Sequence, residues 1–191
     1  MHSIAVLPGD GIGEEVVREG LRVLDAVAAV TGFRYKAERY PYGADHYLKT
    51  GESFPDSALR AMRDHSAILL GAIGDPRVET GLLERAIIAG IRFGLDLYVN
   101  LRPIQLHAEH LCPLKGVTPA QVDMVVVREN TEDAYVGLGG ILKAGTPEEV
   151  AVCNMVWTRK GTERVIRYAF EYARRPGRRK KLTLVDKANA I

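Results

Sequence analysis

The chain opens on a short apolar, β-branched run, Ser3 to Leu7, that breaks at PGDGIG and gives way to a segment whose Val16, Val17, Leu21, Val23, Leu24 and Val27 recur at helical spacing. This predicts a strand, a glycine-rich turn and a helix. A second strand is expected from Arg34 to Tyr40 and a helix from Asp56 to Asp64, and the continuous apolar run from Ser66 to Gly74 reads as a buried parallel strand. DPRVET is a loop leading to an apolar helix that starts at Gly81. Beyond an irregular stretch from His107 to Lys115, an apolar strand ends at Arg128 and runs into a polar turn, with Tyr135 seven residues on. AVCNMVWTR reads as an extended, hairpin-like arm. A helix from Gly161 to Arg175 carries Val165, Ile166, Ala169 and Phe170 on one face, and the strand KLTLV delivers Asp186 and Lys187 to its end. Strands alternating with helices imply a layered α/β fold. The one boundary expected lies near Val99, giving a first α/β domain over 1–98 and the start of a second over 99–191, with the arm around 137–158.

The strand–turn–helix opening invites a dinucleotide-binding reading, but its glycines are Gly9, Gly11 and Gly13, and the third glycine of a G-x-G-x-x-G fingerprint would fall at Glu14. A standard Rossmann fold is therefore not expected. At 191 residues with 47% apolar composition, the chain can bury a sizeable core, and a net charge of +2 gives no global pull towards nucleic acid or membrane. Six cations crowd between Arg174 and Lys181, so the remainder is net acidic. RRPGRRKK reads as a solvated helix-to-strand connection, and nucleic-acid binding is the disfavoured alternative, because a patch of that kind needs aromatic partners nearby. Cys112 and Cys153 match no disulfide or zinc framework, and His107-Ala-Glu-His110 has no second ligand pair, so no metal residue is assigned. The N-terminus has no basic, apolar leader and no long uncharged apolar run occurs, which points to the cytoplasm.

Candidate chemistry concentrates between Gly81 and Pro103. Arg92 ends the apolar helix, and Arg102 directly precedes Pro103. Guanidinium forks grip carboxylates with two parallel charge-assisted bonds and stay charged at any working pH, so two of them ten residues apart point to a ligand with more than one carboxylate. The plain alternative is a pair of surface arginines.

LPGDGIGEEV, LLGAIGDP, the Arg92 helix running into NLRP, VVVRENTEDAYVG and VDKAN occur in that order. Together they resemble the isocitrate/isopropylmalate dehydrogenases, β-decarboxylating enzymes acting on 3-isopropylmalate, isocitrate, homoisocitrate and tartrate or D-malate. The GAIGDP…LLER pattern is most similar to the 3-isopropylmalate branch. The resemblance implies the family's own layered fold and NAD-dependent oxidative decarboxylation of a 3-alkylmalate, as in leucine biosynthesis. It also implies a Mg²⁺ or Mn²⁺ ion and a homodimer with shared active sites, with neither nucleic acid nor membrane as partner. It implies that Arg92, Arg102 and Arg128 grip the malate carboxylates, that Tyr135 protonates the enol, and that Lys187 is the base in the neighbouring subunit's site. Ile73, Gly74, Asp75 and Leu83 would approach the nicotinamide end of NAD. Isocitrate-specific relatives place a serine on the helix before the first arginine, where this chain has Ile88 and Ala89, so an apolar C3 substituent is expected. Where 3-isopropylmalate enzymes tend to carry leucine, Ala89 implies a roomier pocket.

Family members are nearly twice as long, and the resemblance covers their N-terminal half. The metal-binding aspartates and the adenosine loop are expected to lie outside this chain, which alone is expected to be inactive. Dehydrogenases of other 2-hydroxy diacids and a non-catalytic assembly module are the alternative readings.

Overall fold

The computed structural model describes residues 1–185; Asp186 and Lys187 lie outside the described residues. The chain forms two compact units, Met1–Asp96 and a second beginning at Leu97.

In the first unit, β1 (His2–Gly9) is the centre of a parallel sheet, flanked by β2 (Tyr35–Arg39) and β3 (Ala67–Ala72) in the order β2-β1-β3. Side chains of a strand alternate between faces, and β1 uses both. Ile4 and Val6 meet Val17, Leu21 and Leu24 of α1 (Ile12–Thr31). Ala5 and Leu7 meet a second layer that includes α2 (Ala44–Thr50) and α3 (Asp56–Arg63), through Ala44, Ala58 and Met62. The helical stripe expected on α1 is narrower than its pattern, since Val16, Val23 and Val27 are exposed. β3 is half-buried rather than buried throughout, because among the described residues it pairs with β1 alone.

The helix expected at Gly81 is π-helical over Glu84–Ala89 and tightens into α4, Gly90–Gly94. Leu83, Ile87 and Ile91 recur every four residues and are buried in the second layer. Arg63 donates to the Gly94 carbonyl at 2.9 Å, satisfying one acceptor at the end of α4.

The second unit is built on an antiparallel ribbon of β4 (Val99–Gln105) and β5 (Asp123–Glu129), with Asn100 opposite Arg128 and Arg102 opposite Val126. Pro103 is tolerated in β4 because the strand pairs on one side only among the described residues. A second ribbon joins β6 (Gly139–Leu142) to β7 (Val150–Cys153), and all eight of its strand residues are exposed. Along α5 (Arg159–Arg174), Val165 and Ala169 are half-buried, but Ile166 and Phe170 are exposed, so the single apolar face expected there is split. The strand expected at KLTLV joins no ladder among the described residues, and Leu184 and Val185 are exposed. Apolar sequence sets a preference for extended chain, but a ladder needs a partner, and β4 and β5 pair with each other.

Candidate active site

The glycine-rich turn after β1 is closed by backbone contact. A Cβ on Gly71 would lie 1.9 Å from the Pro8 carbonyl oxygen, and one on Gly13 2.3 Å from the same atom, so only glycines let the turn lie against β3. Asp10 is buried and points inward. Its Oδ1 accepts from the Ala44 amide at 2.6 Å and its Oδ2 from the Gly74 amide at 2.9 Å. The carboxylate thus occupies donors at the start of α2 and at the exit of β3, and the turn holds protein oxygen where a Rossmann turn would hold a phosphate.

Gly74 leads into a loop whose surface cavity of about 210 Å³ is lined by Gly74, Asp75, Glu79, Leu83 and Glu84, among others. Three of the four expected cofactor residues therefore share one concavity. Ile73 is half-buried against the core, and the Leu83 side chain is packed almost wholly into it, so Leu83 offers this concavity little side-chain surface. Arg77 clasps Asp75 at 2.7 and 2.9 Å and reaches Asp45 at 2.8 Å. The hydrogen bonds from the Arg77 side chain and amide hold the Asp75 carboxyl far below the usual range, at about 2.

Arg92 is half-buried on α4, with no hydrogen bond or ion pair among the described residues. Ile88 and Ala89, also half-buried, lie one turn before it beside the buried row of Leu83, Ile87 and Ile91. The π-helix closes its hydrogen bonds over one residue more than an α-helix would and shifts this face relative to Arg92.

In the second unit, Val125 and Val127 are half-buried on the face of the ribbon that meets α5, and strand alternation sends Asn100, Arg102, Val126 and Arg128 to the other. Arg102 and Arg128 are diagonal neighbours there, about 7 Å apart at the backbone. The Arg128 guanidinium lies 4.9 Å from the centre of the Tyr135 ring. Three of the expected residues, Arg102, Arg128 and Tyr135, thus come together on one solvent-facing surface, and neither arginine has a carboxylate partner among the described residues.

The loop that carries Tyr135 is held from within. Burial alone would raise the Glu129 carboxyl, but the Thr131 hydroxyl and the Glu132 and Thr131 amides donate to it and hold it below the usual range. Glu132 accepts from the Thr158 amide and hydroxyl at the start of α5, and Gly161 leaves room for it, since a Cβ there would meet that carboxylate at 2.3 Å. Arg164 of α5 donates to the Thr131 hydroxyl at 2.7 Å and lies over the Tyr98 ring. Asn130 is buried. Its amide nitrogen donates to the Leu97 carbonyl and its oxygen accepts from Asn100, which in turn accepts from Arg102 Nε at 2.9 Å. Asp10, Asn100 and Asn130 were not singled out by their sequence context. An asparagine inside a strand, where its type is depleted, is the signal that marks Asn100.

Among the described residues, no group of three His, Cys, Asp or Glu side chains is arranged to hold a metal ion, and no helix is long and apolar enough to cross a membrane.

A layered α/β chain whose glycine turn is closed by Asp10, with Arg102 and Arg128 lacking a carboxylate partner among the described residues, defines a class. The family model described as isocitrate/isopropylmalate dehydrogenase matches residues 3–191, and the chain belongs to that family. Within it, the chain is 51% identical over 189 residues to a 3-isopropylmalate dehydrogenase of Thermobifida fusca (strain YX), spanning 98% of this chain and 53% of that protein. It is 52% identical over 188 residues to the 3-isopropylmalate dehydrogenase of Nocardia farcinica (strain IFM 10152), with 98% and 54% covered. In three dimensions it is similar to the crystal structure of isocitrate dehydrogenase from Methylococcus capsulatus, with TM-score 0.76, 34% identity, and 93% of this chain and 49% of that one covered. The chain thus has the layered α/β fold of these dehydrogenases, and it spans about half the length of the curated relatives it matches.

Proposed function

We propose that this chain supplies half of the site of an NAD-dependent 3-isopropylmalate dehydrogenase. The reading is carried by one juxtaposition: Arg102 and Arg128 share a face of the β4–β5 ribbon, free of carboxylate partners among the described residues, with Tyr135 stacked on Arg128. Two malate carboxylates call for guanidinium forks that the protein itself leaves unneutralised. By the resemblance, Arg92 of the first unit is the third guanidinium expected to meet a carboxylate.

NAD, when bound, would supply the acceptor for the C2 hydride. The hydroxyl proton passes to a base, which by the resemblance is Lys187, outside the described residues. The bond from C3 to its carboxylate then breaks, carbon dioxide leaves, and the electron pair remains as an enolate, whose charge Arg102 and Arg128 oppose. Tyr135 supplies the proton to C3, and the adjacent Arg128 guanidinium balances the charge left on the phenol oxygen. The cavity at Gly74 would take the nicotinamide end of NAD, where Glu79 and Glu84, with Asp75 already paired to Arg77, would suit a positively charged ring. The described residues do not fit a Mg²⁺ or Mn²⁺ site, and no step is assigned to the ion.

Half-buried Ile88 and Ala89 favour an apolar group at C3 over the extra carboxylate of isocitrate, which would be desolvated against Ile88. The side chain at Ala89 is small, so substituents longer than isopropyl should also turn over. The exposed ribbon, with Ile141, Leu142, Val150 and Val152 uncovered, is the surface by which a second copy would join.

The test is NADH absorbance on adding 3-isopropylmalate, NAD⁺ and Mg²⁺ to the purified protein, with its intact mass measured alongside. Turnover with 3-alkylmalates and not with isocitrate is expected of the enzyme. Turnover with isocitrate alone overturns the substrate. A species that associates with itself but never turns over is the assembly module.

A further inference from the structure

Among the described residues, Arg102 is held by no charged partner. Its Nε donates to Asn100 Oδ1 at 2.9 Å, Asn100 Nδ2 donates to Asn130 Oδ1 at 3.2 Å, and Asn130 Nδ2 donates to the Leu97 carbonyl at 3.1 Å. The direction of this relay is forced from both ends. A guanidinium Nε–H can only donate and a backbone carbonyl can only accept, so each amide between them has one orientation that satisfies both neighbours. The Asn130 backbone adds a second anchor, donating to the Tyr98 carbonyl at 3.0 Å. The relay starts on a buried amide and ends on an exposed side chain, and Nε is the edge of the guanidinium it occupies. The two terminal nitrogens are left to meet a carboxylate as a fork.

We propose that Asn100 and Asn130 are positioning residues that preorganise Arg102 for a substrate carboxylate, acting through its Nε and not by touching the ligand. A neutral amide suits this task. An aspartate at the same place would pair with the guanidinium and compete with the substrate, whereas asparagine fixes the direction of the side chain and leaves its charge available. The inference rests on the proposed role of Arg102 as a diacid grip, and the test separates the two.

Asn100→Ala, Arg102→Gln and the double variant are compared in the intact enzyme, with thermal melting to confirm folding. Asn100→Ala should raise KM for the diacid about tenfold with kcat changed less than about twofold. Arg102→Gln should raise it further, and adding Asn100→Ala to Arg102→Gln should change KM less than about twofold. An unaltered KM in Arg102→Gln sinks the diacid grip itself. A normal response of Arg102→Gln with either an additive or an absent effect of Asn100→Ala overturns the positioning role. A second measurement does not depend on turnover: the Arg102 Nε–H proton should exchange slowly with water in the wild type and at least about tenfold faster in Asn100→Ala and in Asn130→Asp. Equal exchange in all three overturns the relay.

Discussion

The turn after β1 and the loop after β5 are both short polar stretches at the end of an apolar strand, and each buries acidic or amide side chains among backbone donors. They use them to opposite ends. In the turn, Asp10 consumes the Ala44 and Gly74 amides, and glycines at 13 and 71 let backbone lie on backbone, so the whole junction works for the fold. In the loop, Glu129 and Glu132 take the local amides and hydroxyls and Asn130 takes the chain entering β4, while Arg128 and Tyr135 stay at the surface. Where the acids are spent on the backbone and the cations are left over, the outcome is an anion-receptive surface. Where no cation is left over, it is a joint.

The contrast can be broken in order of size. Gly13→Ala should cost the first unit more than about 4 kcal/mol, because the clash is with backbone on both sides; a urea melt close to wild type would mean that the turn can open. Asp10→Ala, which strands two amides, should cost about 3 kcal/mol in the same melt. On the loop side the loss should fall on function. Arg102→Lys keeps the charge but not the fork and should lower kcat/KM about 30-fold with an unchanged melt; kinetics near wild type would remove Arg102 from the site. Thr158→Ala, which deletes the cap of α5 donated to by the Gly161 amide at 3.0 Å, should cost about 1 kcal/mol. The smallest effect is with acid. Asp75 and Glu129 have lowered pKa values in the folded protein, so their contributions are present above the ordinary carboxylate range and are lost as pH falls through the folded values. Side-chain carboxyl NMR should show Asp75 titrating near 2, and a midpoint in the ordinary range would mean that Arg77 does not clasp it in solution.

Much of the fold could be read from the chain because local pattern and tertiary role agree in it. The runs at Ser3–Leu7, Arg34–Tyr40 and Ser66–Gly74 are strands of one parallel sheet, and the misplaced third glycine at Glu14 was reason enough to set aside a Rossmann turn. What escaped depends on distant partners. α2 is seven residues long, and the amide at its start is satisfied by Asp10, 34 residues earlier, so no local window reveals it. Ile166 and Phe170 fit a helical stripe with Val165 and Ala169, yet half of that stripe faces outward. The five ordered motifs placed the chain in its family, as the match over residues 3–191 bears out. Motif order could not show that Arg128 stacks on Tyr135, or that Arg102 leans on Asn100, because both contacts follow from strand register and loop closure.

The π-helical turn at Glu84–Ala89 has a design consequence. Deleting one residue from it would let the segment relax to an α-helix and swing the preceding side chains about 100° around the axis relative to Arg92. Ligand preference at this face can therefore be retuned by the length of a helix as well as by its side chains, a route open to a single-codon deletion and invisible to any survey of point substitutions.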